Sequence, residues 1–147
     1  MVGRGLVIGT AHVISYHWLI SSVLGGYPLT SVYQYIASAA LGEAAFAGGI
    51  ATALLGVLFH FIVSFIVAGV FILGADRNFL LRRHPVVSSL LYGFGVFIVM
   101  NMIVVPLSAA PPLPAPTTSQ LILMILEHIL VIGLPLGLFV RRSANGS

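Results

Sequence analysis

The stretch Ala44–Ala75, AAFAGGIATALLGVLFHFIVSFIVAGVFILGA, runs for about 32 residues without Asp, Glu, Lys or Arg. About 20 apolar residues suffice to cross a hydrocarbon core of about 30 Å. A straight helix of this length would reach about 48 Å, at about 1.5 Å per residue. The run therefore reads as a transmembrane helix that must tilt, project beyond the bilayer, or break near Gly48-Gly49. Three further apolar runs flank it. Together they predict an all-α integral membrane protein of four transmembrane helices, over residues 5–24, 46–74, 86–107 and 119–140, in a single domain of residues 1–147. Pro85 opens the third span and Val105-Pro106 closes it. The fourth follows a loop stiffened by Pro111, Pro112, Pro114 and Pro116.

Composition and charge give the orientation. Hydrophobic residues make up 59% of the chain and charged ones 6%, against about 25% charged in soluble chains, which excludes an ordinary water-soluble domain. All six basic residues are arginine: Arg4 before the first span, Arg77, Arg82 and Arg83 between the second and third, and Arg141 and Arg142 after the fourth. The connections Tyr27–Ala44 and Ser108–Ser119 hold none. With four spans, the positive-inside bias then puts both termini in the cytoplasm of a bacterial inner membrane. Arginines at span ends suit anionic lipid headgroups, and nothing points to nucleic acid. The absence of cysteine excludes disulfides and thiolate sites. A signal peptide is the competing reading of residues 5–24, but His12, Tyr16, His17 and Trp18 interrupt a run that should then be short and cleanly apolar.

Between the first two spans, Ser31–Leu41 reads as a short amphipathic helix on the outer membrane surface, with a re-entrant segment as the alternative. Val32, Tyr35, Ile36 and Ala39 share one face, and Ser31, Gln34 and Ser38 another. On the second span, Gly49, Thr52, Gly56, Ser64 and Val67 form a face suited to close helix packing, and His60 lies on it. Gly5-x-x-x-Gly9 in the first span and Gly133-x-x-x-Gly137 in the fourth carry the same small-residue spacing, with Pro135 placed to kink the latter.

Ionisable groups inside a bilayer are expensive, about 2.5–3.5 kcal/mol for a charge at mid-helix on insertion scales. The chain nevertheless puts His12 and His17 in the first span, His60 in the second, Asn101 in the third and Glu127-His128 in the fourth. His17, His60, Glu127 and His128 fall near mid-span. Gln120 and Met124 precede Glu127 on its face, which points that face into the bundle. A Glu–His pair of this kind could carry protons or hold a cationic ligand. The simpler alternative is interhelical hydrogen bonds that only set register, worth about 0.6–2 kcal/mol each. His60 and His128 are the candidate haem ligands. No two histidines stand four apart on one helix, so no metal site is predicted, and no cofactor is assigned. The nucleotide-binding glycine loop, the nucleophile elbow and the zinc-protease motif are all missing, which argues against an enzyme.

The strings His60-Phe61, Arg82-Arg83-His84-Pro85, Leu91-Tyr92-Gly93, Met100-Asn101-x-x-Val104-Val105-Pro106-Leu107-Ser108 and Glu127-His128 to Gly133-Leu134-Pro135 resemble a bacterial family of small inner-membrane proteins. The resemblance implies a four-helix membrane protein and no assigned activity. The expectation is a polytopic protein that binds or passes a small solute or proton at a polar mid-membrane site. Its partners would be membrane lipids and further copies of the chain, since four helices enclose little space. The alternatives are an accessory or assembly subunit of a larger membrane complex and, below it, a haem- or quinone-binding protein.

Overall fold

The computed structural model describes residues 26–145. The first span of the sequence reading, with His12 and His17, lies outside the described residues, so that span, the count of four and the orientation of the termini rest on sequence alone. Every regular element among the described residues is helical. Three helices are long and apolar enough to cross a membrane: α2, Gly49–Arg77; α4, Pro85–Leu107; and α5, Thr118–Ser143. Helix α1, Leu29–Leu41, precedes α2, and the short α3, Phe79–Arg83, joins α2 to α4.

The boundaries follow from local chemistry. The long apolar run does break at its glycine pair: a tight helical turn, Gly42–Ala47, ends at Gly48, and Gly49 starts α2 in the left-handed region, at φ 58°. Thr52 donates to the Ala45 carbonyl at 2.6 Å and holds that turn against the first turn of α2. Asn78 caps α3 by accepting from the Leu80 amide at 2.9 Å, and Pro85 takes the first position of α4, where no amide donor is needed. Thr117 and Gln120 form a reciprocal capping box at the start of α5.

The helices pack as two pairs. In the first, α1 folds back along α2, and the Tyr33 backbone lies directly on Gly56, where any side chain would collide. This departs from a helix resting apart on the outer surface. The buried face is also the reverse of what amphipathicity in water would give. Gln34 and Ser38 are 9% and 0% exposed, beside Ala37, while Ala39 of the apolar face is exposed. Gln34 donates to the Gly49 carbonyl at 3.0 Å. In lipid the apolar side loses nothing by facing outward, whereas polar groups gain by meeting each other inside.

In the second pair, α4 and α5 meet along a seam of small residues. Gly133-x-x-x-Gly137 of α5 seats against Ser89-x-x-x-Gly93 of α4, backbone on backbone. Ser89 turns its hydroxyl to its own helix, donating to Val86 O at 2.9 Å, so it can sit fully buried in the seam. The two pairs join near the arginine-bearing end. There Ala68, Phe71 and Ala75 of α2 form a core with Ile132, Leu136 and Val140 of α5. The Tyr92 hydroxyl of α4 donates to the Val67 carbonyl of α2 at 2.8 Å. At the other end, the Ala109 amide donates to the Ala39 carbonyl at 3.0 Å and ties the proline loop to α1.

Two wide, π-helical turns interrupt the spans, Met100–Val104 in α4 and His128–Gly133 in α5. Each closes just ahead of a proline, Pro106 or Pro135. A proline offers no amide to the carbonyl four residues back, and its ring crowds that carbonyl. The chain widens instead, with the Val105 amide bonding Met100 O and the Leu134 amide bonding Ile129 O, five residues back in each case. Outward, α2 shows Ile50, Leu54, Leu58, Ile62 and Ile66 uncovered. A continuous apolar face of this kind suits lipid, and the chain reads as membrane-embedded.

Candidate functional site

Among the described residues, a pocket of about 280 Å³ lies between α2, α4 and α5, with Ile36 of α1 on its wall. Among the described residues, five polar side chains line it: His60 and Ser64 from α2, Asn101 from α4, and Glu127 and His128 from α5. The other described residues on the wall are aliphatic, apart from the thioethers of Met100 and Met124. A mostly apolar concavity with a few convergent polar groups is the usual form of a small-molecule site, and the volume falls just below the common range of about 300–1,000 Å³.

Helical register delivers each group. His60 stands between Gly56 and Ser64 at spacings of four, on the face that α2 turns to its neighbours. The Tyr33 ring meets the His60 ring edge-on, with centroids 6.4 Å apart. Burial of Tyr33 pushes its phenol pKa above the ordinary value, so this neighbour stays neutral. Asn101 and His128 both belong to the wide turns. The Asn101 amide donates to Phe97 O at 2.9 Å, a bond within its own helix rather than the link between helices that its type suggests. His128 Nδ1 lies 2.8 Å from Met124 O, and the ring stands edge-on to Phe97 at 5.4 Å. A carbonyl only accepts, so Nδ1 carries the proton and Nε2 is the basic nitrogen of the neutral ring. Glu127 and His128 are consecutive and diverge by about 100° round the helix. The cavity therefore wraps around this side of α5.

Four candidates from the sequence, His60, Asn101, Glu127 and His128, thus line one cavity, while His12 and His17 lie outside the described residues. One argument for Glu127 needs correcting. Gln120 is exposed and engaged in the capping box, so it is no sign of an inward face; Met124 alone marks that side. In the sequence Ser64 reads as a packing residue, and nothing there assigns Met100 and Met124 to a site. The four-residue spacing of Met124 and His128 was the available signal. His60 and His128, the pair named for a haem, share the cavity. Among the described residues no three of His, Cys, Asp and Glu are grouped to hold a metal ion. Comparison of the chain with protein-family models, with curated proteins and with solved structures gives no match, so the family likeness seen in the sequence gains no support from it.

Proposed function

We propose that this is a small polytopic inner-membrane protein whose interhelical cavity binds, and in a homo-oligomer passes, a small solute or proton, with Glu127, His60 and His128 as the working groups. The observation that carries this reading is the convergence of His60, Ser64, Asn101, Glu127 and His128, from three apolar helices, on one cavity. The α4–α5 seam is built from Ser89, Gly93, Gly133 and Gly137, and the α2–α4 link from Tyr92 and Val67. A costly acid inside the bilayer is better accounted for by a ligand or a proton.

The test is flux through reconstituted vesicles carrying a pH-sensitive dye, driven by a pH gradient with and without candidate solutes. Glu127→Gln keeps the shape and removes the ionisable proton, and is expected to cut flux at least tenfold while the protein still elutes as a single folded species. Flux that is present and unchanged in Glu127→Gln would refute the reading. A wild-type protein that conducts nothing and copurifies with stoichiometric larger subunits would favour the accessory-subunit alternative.

A further inference from the structure

We infer that Pro135 is a positioning residue for the cavity: the wide turn it maintains rotates the Thr118–His128 half of α5, so that Glu127 and His128 face α2. This rests on the reading of the cavity as the working site and adds what aims its groups.

The facing helix sets the requirement. Along α2, His60, Ser64 and Val67 line the cavity, and Phe71 and Ala75 continue that side into the core. Spacings of four, three, four and four keep these residues on one face, and α2 is a plain α-helix throughout. Helix α5 must therefore present a single face over both stretches. Met124, Glu127 and His128 belong to the cavity, and Ile132, Leu136 and Val140 to the core.

The sequence of α5 is out of phase for this. At about 100° per residue in an α-helix, Met124, Glu127 and His128 lie about 120°, 180° and 80° round from Leu136. Glu127 would point directly away from the core side. The wide turn His128–Gly133 corrects the phase. Its bond from the Leu134 amide to Ile129 O encloses one residue more than an α turn. One residue fewer then counts towards the rotation, and the three side chains stand about 20°, 80° and 20° from Leu136. All three line the cavity, while Leu136 is fully buried in the core.

The proline keeps the extra residue in place. Its missing amide denies Val131 O, four residues back, the usual α-helical bond, and its ring crowds that carbonyl. An amide at this position makes the plain α turn available again. The rival holder is the seat at Gly93 of α4, where the His128 carbonyl and the Ile129 backbone rest. Pro135→Ala leaves that seat intact, so it separates the two.

The chain has no cysteine, so introduced thiols can be spin-labelled cleanly. A label at Leu123→Cys on α5 is paired with one at Leu91→Cys on α4 or at Leu58→Cys on α2, all exposed positions. Double electron–electron resonance in mild detergent then reads two distances across the bundle. With side chains about 5–6 Å from the helix axis, a turn of about 100° carries the label through about 8 Å. Pro135→Ala is expected to shift at least one distance by about 4 Å or more, and to cut Glu127-dependent flux at least tenfold. Deleting Leu130, an exposed residue of the wide turn, from Pro135→Ala removes the extra residue and should restore both distances and the flux. A proline needed only for folding would not be rescued by shortening the helix. Unmoved distances in Pro135→Ala, or distances that the deletion does not restore, would overturn the inference. If Pro135→Ala gives no monodisperse protein, the double variant decides: wild-type distances uphold the inference, and altered distances or no folded protein overturn it. Distances that move and return as expected, with flux absent or indifferent to Glu127, would leave the positioning standing and sink the reading of the cavity. Unmoved distances with Glu127-dependent flux intact would do the reverse.

Discussion

Replacing Gly93 with alanine should loosen the seam between α4 and α5. A Cβ built there would stand 2.5 Å from the His128 carbonyl oxygen and 3.1 Å from Ile129 Cα. Ordinary contact begins at 3.4 Å, so the oxygen would have to retreat by 0.9 Å, the difference between 3.4 and 2.5. It belongs to helix backbone and cannot swing aside as a side chain could, so the helices must part. A gap of about 0.5–1 Å forfeits about a quarter to a half of each dispersion contact along the seam. Overpacking of this kind costs about 1–3 kcal/mol. Alanine returns up to about 1 kcal/mol over glycine in a helix, which leaves a net loss of up to about 2 kcal/mol, and a deficit of about 1–3 kcal/mol against an alanine that meets nothing. The assay exploits the absence of cysteine: a single thiol introduced by Ala68→Cys, at a position 1% exposed, reacts with maleimide only when the bundle opens. Unfolding is followed against SDS in mixed micelles. Gly95→Ala is the control, because its Cβ would meet nothing within 4 Å, and it should be neutral or slightly stabilising. Equal midpoints for Gly93→Ala and Gly95→Ala would refute the close-contact reasoning.

Two further substitutions probe the joints on either side of the cavity. Tyr92→Phe removes the 2.8 Å bond to Val67 O and should cost about 0.6–2 kcal/mol in the same SDS titration; an unshifted midpoint would mean that the hydroxyl does not hold α2 to α4. Gln34→Leu removes the donor to Gly49 O and should free α1 from α2 without unfolding the bundle. A thiol placed by Ala37→Cys, at a position 0% exposed, should then label several-fold faster than in the Gln34 parent, and equal rates would show that α1 is held by other contacts.

Much of this fold was legible because span length and hydropathy are local properties. Pro85 and the Gly48-Gly49 pair marked helix boundaries for the same reason: a missing amide and a left-handed φ are consequences of single residues. The depth of His60, Asn101, Glu127 and His128 along their spans could be counted from the same ends. The direction in which a face points was less readable. Gln34 and Ser38 looked like the wet side of a surface helix and are buried, and Gln120 looked inward and is exposed. Nothing in the sequence marks Ser89-x-x-x-Gly93 as a seam, because only its contact with Gly133 and Gly137 distinguishes it from any other small pair.

The amino-acid order by itself determined that the chain is helical and apolar enough to cross a membrane, and where along its apolar runs the polar residues fall. Tertiary structure decided which of those groups share a cavity, how α1 lies on α2, and that the prolines of α4 and α5 open wide turns rather than simple kinks. The physical reason is the solvent. Water separates inside from outside by hydrophobicity, so for a soluble helix the pattern names the buried face. Lipid is as apolar as the protein interior, so the choice of face falls to close backbone approach and to hydrogen bonds between helices, neither of which exists until the helices meet.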